Sequence, residues 1–154
     1  MGKQDLKSIL QIAIKIEEQS YGLYTMAQNK VEYSSSKKFL NELAQEELRH
    51  KEKILGVLSN EKKVSALGTY TGKTQDLKIV NTMTGTTLTE DVDYQRILVF
   101  AAKREKATHD YYNSLAKGLE GTETGDLFAK LAQEELIHKN RLEREYDEYL
   151  LKEN

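Results

Sequence analysis

The sequence predicts an all-α protein: an antiparallel four-helix bundle with one long crossover between helices 2 and 3. Apolar residues recur at spacings of three and four along four long stretches, which is the period of one helix face. None of the 154 residues is proline, so nothing obliges those stretches to break. The chain also repeats itself: Leu43 to Lys51 reads LAQEELRHK, and Leu131 to Lys139 reads LAQEELIHK. The two copies lie 88 residues apart, which indicates an internal duplication.

The first helix is predicted over residues 5–29, and one acidic residue interrupts its apolar stripe. Glu17 lies on the same helical row as Ala13 and Tyr24, whereas the next residue, Glu18, has a more mixed set of neighbours. We therefore expect Glu17 to point into the bundle.

The second helix is predicted over residues 35–60, with the serines at 34–36 supplying its N-cap. The stretch 61–89 breaks the helical pattern because threonine and glycine are frequent there. Within it, residues 77–80 (LKIV) could pair briefly as a strand or pack on a helix edge. A connection of this length can run the whole length of the bundle, which gives an up-down-down-up order.

The third helix is predicted over residues 90–118. It starts near residues 89–91, where acidic side chains suit the positive end of the helix dipole. The fourth helix is predicted over residues 123–151, with either Thr122 or Thr124 as its cap.

The repeated phrase contains Glu-x-x-His in both copies, as Glu47/His50 and Glu135/His138. Residues three apart lie close together on one helix face, so each pair can offer a carboxylate and an imidazole to the same metal ion. Glu46 is four residues from His50, and spacing alone does not choose between it and Glu47.

Neighbouring residues make that choice. Glu47 has apolar residues along its helical row and Glu46 has charged ones, so Glu47 is the predicted inward carboxylate. In the second copy Glu134 shares its row with Lys130 and Arg141 and is predicted to face water.

Six polar residues are thus predicted to face the core near the middle of the bundle: Glu17, Glu47, His50, Glu105, Glu135 and His138. Four buried carboxylates would repel one another and suffer desolvation. Two divalent cations would neutralise them, and the set suits iron or manganese, although zinc could also bind. Glu47 and Glu135 are the natural bridging ligands, with Glu17 and Glu105 terminal.

Two tyrosines, Tyr24 and Tyr112, follow Glu17 and Glu105 at the same spacing of seven residues. They could hydrogen-bond to ligand carboxylates, act as redox-active side chains or simply pack in the core. His109 follows Glu105 by four residues and is predicted to lie behind the ligands or at the rim rather than to bind metal.

Composition narrows the possible partners and location. With 23 basic and 25 acidic residues, the net charge of −2 argues against nucleic acid or an anionic membrane surface as the main partner. The absence of cysteine excludes disulfides, Cys-ligated zinc and iron–sulfur clusters within these residues. No apolar run approaches the length of a membrane span, and the start does not resemble a signal peptide, so we expect a cytoplasmic protein.

The paired Glu-x6-Tyr and Glu-x-x-His motifs resemble those of the ferritin-like di-iron carboxylate superfamily, and most closely its rubrerythrin-like branch. The resemblance covers residues 5–60 and 90–150. It implies a ferritin-like bundle in which the six residues above hold two iron ions. It also implies peroxide or dioxygen reduction, usually in a homodimer. The rubredoxin-like domain is expected to be absent, so electrons would come from a separate donor protein.

Two positions depart from relatives in the superfamily. Thr108 stands where rubrerythrins carry an additional glutamate, and Leu48 stands where bacterioferritins carry their haem methionine, so no haem is expected.

Residues 1–154 are predicted to form one domain. Two other functions stay open: iron binding or sequestration without catalytic turnover, and a metal-free structural or interaction module.

Overall fold

A computed structural model describes residues 6–60, 62, 64 and 91–153 of the protein. Within these ranges the chain forms long helices and no strand, which confirms the predicted all-α four-helix bundle. The helices are α1 (Leu6–Ala27), α2 (Ser34–Leu58), α3 (Tyr94–Gly118) and α4 (Glu123–Glu153).

The α1–α2 connection differs from the prediction in its details. The α-helical part of α1 ends at Ala27, and the chain tightens into a short 3-10 turn at Gln28–Lys30. The predicted serine N-cap of α2 is wrong. Tyr33 is the cap residue, because Ser34 already belongs to the helix. The carbonyl of Tyr33 accepts a hydrogen bond from Lys37 N at 3.0 Å, and its side chain makes no capping hydrogen bond. The helix ends at Leu58, two residues before the predicted end.

Helix α3 begins at Tyr94, later than the predicted residue 90, because Asp93 caps it. Asp93 Oδ1 accepts a hydrogen bond from Arg96 N at 2.8 Å, which satisfies one of the free amides of the first turn. Asp91 lies in a turn before the helix, and residues 89 and 90 lie outside the described residues.

The α3–α4 turn places two glycines under constraint. Gly121 has a φ of 87°, a left-handed conformation that favours glycine. A Cβ on Gly125 would lie 2.2 Å from the carbonyl oxygen of Leu119. The first turn of α4 can therefore pack against that carbonyl only because residue 125 is a glycine. Of the two threonines left open by the sequence, Thr122 is the cap, since its Oγ1 accepts from Gly125 N at 2.9 Å.

Most of the predicted crossover, 61–89, lies outside the described residues, as does the possible strand at residues 77–80. Lys62 and Val64 are described and are helical, and Val64 N donates to the carbonyl of Asn60 at 3.1 Å. The predicted end of helical structure at residue 61 is therefore wrong at these two positions.

The helices pack as two hairpins, α1 on α2 and α3 on α4. Contacts between the hairpins show that α1 and α3 run antiparallel: Glu17 meets Tyr112, and Tyr24, further along α1, meets the earlier residue Glu105. The buried Arg104 also joins these helices, because its Nη2 donates to the carbonyl of Ile16 at 3.1 Å.

Two apolar clusters fill the described core, one toward each end of the bundle. On every helix the predicted inward Glu and His residues fall between the segments that belong to the two clusters; on α1, for example, Glu17 lies between Ile16 and Tyr24. The polar residues therefore form a layer of their own across the middle of the bundle. Within the described ranges, none of the helices combines the length and apolarity needed to cross a membrane.

Candidate metal centre

The six predicted polar residues meet in this middle layer, and none of these residues exposes more than 1% of its surface. Their ligand atoms form two overlapping groups, within each of which all atoms lie within 4.8 Å of one another. The groups are Glu17, Glu47, His50 and Glu135, and Glu47, Glu105, Glu135 and His138. Glu47 and Glu135 belong to both.

Each histidine turns its Nδ1 atom toward the carboxylates. His50 Nδ1 lies 2.8 Å from Glu135 Oε1, 3.4 Å from Glu47 Oε1 and 3.6 Å from Glu17 Oε1. His138 Nδ1 lies 3.1 Å from Glu47 Oε1 and 3.8 Å from Glu105 Oε2.

The two imidazole rings are nearly parallel, with centroids 5.8 Å apart and an interplanar angle of 10°. Contacts in one half of the chain are repeated in the other with the 88-residue offset, so the duplication seen in the sequence becomes an approximate two-fold relation in space.

The tyrosine hydroxyls follow the same relation. Tyr112 donates to Glu17 Oε2 at 2.6 Å, and Tyr24 donates to Glu105 Oε1. Of the alternatives that the sequence left open, the structure shows hydrogen bonding to the glutamate carboxylates. Each tyrosine contacts the glutamate of the opposite half rather than the one seven residues before it.

The far nitrogen of each imidazole faces a second carboxylate that sequence analysis assigned to the surface. His50 Nε2 lies 3.5 Å from Glu134 Oε1, and His138 Nε2 lies 3.4 Å from Glu46 Oε2. The prediction that Glu134 faces water is wrong, since its side chain is only 31% exposed and reaches across to helix α2. Comparison along a single helix missed this contact. The only signal was that Glu46 and Glu134 also lie 88 residues apart.

Arg104 is a second buried polar residue that the sequence analysis missed. Its Nη2 contacts the Ser20 hydroxyl at 3.2 Å, and its carbonyl accepts from Thr108 Oγ1 at 2.9 Å. His109 contacts neither group of ligand atoms, because its Nδ1 donates to the carbonyl of Ala132 at 2.8 Å. Thr108, like Arg104, is buried beside the polar layer.

The carboxylates of this layer do not titrate alike. Burial and the charge of Glu47 raise the pKa of Glu17 to about 8. Burial and the charge of Glu105 raise the pKa of Glu135 well above its ordinary value. Burial by itself would also raise the pKa of Glu47, but contacts with His138 and His50 outweigh it and lower the pKa.

For the two imidazoles, burial lowers the pKa and the neighbouring carboxylates raise it. Burial alone would lower the pKa of His50, but its contacts with Glu17 and Glu47 raise that pKa to about 10. Contacts with Glu105 and Glu46 likewise outweigh burial and raise the pKa of His138 to about 12. Protons therefore offset the negative charge of this layer in the metal-free protein.

The donor atoms fit two divalent cations. Both carboxylate oxygens of Glu47 and of Glu135, and the Nδ1 atoms of both histidines, are buried without hydrogen-bond geometry to any partner within the described part of the chain. Buried polar atoms left in this state are costly unless they are hydrogen-bonded or coordinate a metal. Each group combines the two shared carboxylates with one further carboxylate and one imidazole, an oxygen-rich set of the kind that iron or manganese prefers.

A helical bundle with this buried layer of glutamates and histidines defines the class of ferritin-like carboxylate proteins, whose bundles hold two metal ions. A scan against models of protein families matched rubrerythrin at residues 8–91 and 96–154, so the chain belongs to the rubrerythrin family. That membership implies a di-iron centre. Searches of curated proteins and of solved structures gave no significant match.

Proposed function

We propose that the protein is a di-iron oxidoreductase that reduces peroxide or dioxygen with electrons from a separate donor protein. The observation that carries the proposal is the pair of overlapping four-residue groups with two shared carboxylates. Glu17 and His50 would hold one iron ion, Glu105 and His138 the other, and Glu47 and Glu135 would bridge them.

When bound, two ferrous ions would supply the two electrons that, with two protons, reduce hydrogen peroxide to two molecules of water. The chain's own residues prepare the donor atoms. Nε2 of His50 has hydrogen-bond geometry to Glu134, so the proton of this imidazole is favoured there and the lone pair of Nδ1 is left for a cation. The hydroxyls of Tyr24 and Tyr112 each occupy one oxygen of a terminal glutamate and so fix the direction of the other.

Burial supports a small oxidant as the substrate. The six donor residues are at most 1% exposed, so a bulky organic molecule has no contact with them. A polar groove of about 370 Å³ reaches Glu46, which faces His138. Its lining residues are Asn41, Glu42, Gln45, Glu46, Arg49 and Arg141. Hydrogen peroxide and dioxygen are small enough to enter this groove.

Stopped-flow oxidation of the diferrous protein tests the proposal. We expect two iron ions per chain and oxidation by peroxide much faster than that of free ferrous ion, with loss of the fast phase in Glu47→Gln. Oxidation no faster than that of free ion would contradict the peroxidase function. Slow oxidation together with a large iron-filled shell on gel filtration would instead favour iron sequestration.

The homodimer and the external electron donor are predictions of the family resemblance. Light scattering on the purified protein tests the first. Reduction of the oxidised centre by small redox proteins, followed by its visible absorption, tests the second.

A further inference from the structure

A tyrosine and a glutamate that take no part in the metal centre are buried together toward one end of the bundle. Tyr94, at the start of α3, is 2% exposed and donates its hydroxyl hydrogen to Glu145 Oε2 on α4 at 2.7 Å. Glu145 is itself only 8% exposed. The 88-residue offset places Leu6 and Val57 at the corresponding positions of the first half, and both are buried. Because an apolar pair fills these positions in one half, packing does not require a hydroxyl and a carboxylate in the other.

Further tyrosine rings lead from this pair to the surface. The ring of Tyr149 lies edge-on against that of Tyr94, with centroids 4.9 Å apart. Tyr33 lies edge-on against Tyr149 in turn, with centroids 5.9 Å apart, and Lys152 Nζ lies over its ring. Tyr33 and Tyr149 are both half-buried, so their rings meet the solvent. The three rings therefore form a continuous path from the buried hydroxyl of Tyr94 to the protein surface.

Another tyrosine connects the metal centre with the same part of the core. Tyr24 donates to Glu105 of the centre, and its ring belongs to the same apolar cluster as Tyr94. Glu105 follows Tyr94 by 11 residues on α3, a rise of about 16 Å. An aromatic ring within this interval shortens each step that an electron must take. On the opposite side of the centre, the ring that packs edge-on against Tyr112 is Phe128, which has no hydroxyl to oxidise.

Oxidation of a tyrosine removes a proton together with the electron, so the hydroxyl needs a base beside it. Burial and the contact with Glu145 hold the pKa of Tyr94 well above its ordinary value, and its hydroxyl therefore keeps its proton until an electron is removed. Removing the electron alone would leave a positive charge on a buried ring, which is costly. The carboxylate of Glu145 lies at hydrogen-bond distance and can take the proton as the electron leaves.

We propose that Tyr94 is a redox-active residue that gives one electron to the metal centre when only one iron ion is bound, with Glu145 accepting its proton. The inference rests on the proposed peroxide reduction. One ferrous ion gives one of the two electrons that convert hydrogen peroxide and two protons into two molecules of water, and Tyr94 gives the other. The oxidising equivalent passes through Tyr149 and Tyr33 to the surface. A one-electron reductant in solution then restores Tyr94, whose proton returns from Glu145.

Rapid-freeze electron paramagnetic resonance of the full chain tests the inference. The protein is loaded anaerobically with one equivalent each of Fe²⁺ and Zn²⁺, because Zn²⁺ has no redox chemistry and leaves many centres one electron short. On mixing with hydrogen peroxide, we expect an organic radical signal that narrows in protein grown with ring-deuterated tyrosine. Protein loaded with two equivalents of Fe²⁺ should give little of this signal, since its iron supplies both electrons. Ascorbate, a one-electron reductant, should remove the signal, and Tyr149→Phe should slow that removal.

Tyr94→Phe keeps the aromatic ring and should lose most of the radical signal while binding iron as the wild-type protein does. Glu145→Gln should also lose it, because an amide accepts the hydrogen bond but not the proton. Tyr111→Phe is the matched control, since this tyrosine is also 2% exposed but belongs to the other apolar cluster, and it should leave the signal unchanged. Thermal unfolding of each metal-free variant identifies any general loss of structure, and Glu145→Gln carries the test if Tyr94→Phe does not fold.

A radical signal of unchanged size in Tyr94→Phe would overturn the inference, and so would an equal loss of signal in Tyr111→Phe. Removal by ascorbate at an unchanged rate in Tyr149→Phe would overturn the path to the surface. Fast oxidation of the iron by peroxide without any tyrosine radical would overturn the inference and leave the proposed function intact. If the iron of the wild-type protein is oxidised no faster than free ferrous ion, the proposed peroxide reduction fails as well.

Discussion

Tyr112 donates its hydroxyl hydrogen to Glu17 at 2.6 Å, and Tyr24 does the same for Glu105, so each half of the chain supplies a tyrosine to the other half's glutamate. This reciprocity is that of a symmetric dimer interface, with the two halves joined in one chain. It extends to the groups of donor atoms, each of which takes three residues from one half and one from the other. Neither half contains a complete set.

Removing one of these hydroxyls should affect one metal position more than the other. In Tyr112→Phe the Oε2 atom of Glu17 loses its donor, and the carboxylate becomes free to turn. We expect binding at the Glu17 position to weaken by about tenfold and the metal-free protein to lose about 1–2 kcal/mol of stability. Tyr24→Phe should have the corresponding effect at Glu105. Titration with Co²⁺ and urea unfolding measure the two quantities.

Tyr146→Phe, which alters a half-buried tyrosine outside the two groups of donor atoms, is the control for this pair. If Tyr112→Phe and Tyr146→Phe have the same effect on metal binding, the hydroxyl has no role in placing the carboxylate.

Replacing one of the shared carboxylates should stabilise the metal-free bundle while damaging the centre. Burial and the charge of Glu105 raise the pKa of Glu135 in the folded protein above its pKa in the unfolded chain. This carboxyl group therefore favours folding most at low pH, and its contribution to stability is lost as the pH rises above the unfolded pKa. At neutral pH, Glu135→Gln should therefore raise the free energy of unfolding by more than about 1 kcal/mol. It should also abolish binding of the second cation.

The control is Glu143→Gln, a change at an exposed glutamate of the same helix. Urea unfolding at pH 4 and pH 7 provides the decisive comparison, since the gain from Glu135→Gln should disappear at the lower pH. A gain that is equal at both pH values would mean that the repulsion among the carboxylates is not its cause.

The positions of the six donor residues were predictable because they depend on the geometry of single helices. An apolar stripe with a regular period identifies its own exceptions, and Glu17 is such an exception. The duplication then assigns Glu105 the same place in the second half. Burial in the structure agrees with this periodicity at every one of the six positions.

Contacts between helices were not predictable in this way. Glu134 contacts His50 on another helix, whereas the charged neighbours on its own helix predicted that it faces water. The bond from Arg104 to the carbonyl of Ile16 depends on how closely α1 and α3 approach, a distance that no single-helix pattern contains. Helix ends were not predictable for a related reason. Several residues that could act as caps are adjacent in the sequence, and the conformation of the loop determines which of them is the cap.

The helix caps give a stability test of that last point. Thr122 Oγ1 accepts from Gly125 N, whereas the side chains of Ser34 and Ser35 are exposed and α2 begins without a side-chain cap. Thr122→Ala should therefore lower the free energy of unfolding by about 0.5–2 kcal/mol, and Asp93→Ala should behave similarly. Ser34→Ala should have almost no effect. Urea unfolding of the three variants checks this, and a large loss in Ser34→Ala would restore the serine cap that the sequence predicted.

Metal binding should become tighter as the pH rises, because the donor atoms of the metal-free protein hold protons. The pKa of Glu17 is raised to about 8 by burial and by Glu47. Contacts with Glu17 and Glu47, acting against burial, raise that of His50 to about 10. His50 contributes its full stabilisation of the folded protein below pH 6.5, the pKa of the unfolded chain, and this stabilisation is lost as the pH rises through about 10. The metal-free bundle should thus weaken over the range in which metal affinity grows.

A cation can bind only when these protons leave, so each proton released should increase the affinity about tenfold per pH unit between about pH 6 and pH 8. Calorimetric titration with Co²⁺ in buffers of different ionisation enthalpy counts the protons directly. His109→Gln should leave the count unchanged, since His109 contacts the Ala132 carbonyl rather than the donor atoms. Glu17→Gln should release fewer protons than the wild-type protein. An affinity that does not vary with pH would show that the carboxylates and imidazoles of the middle layer are already deprotonated, and that their charge is offset by something other than protons.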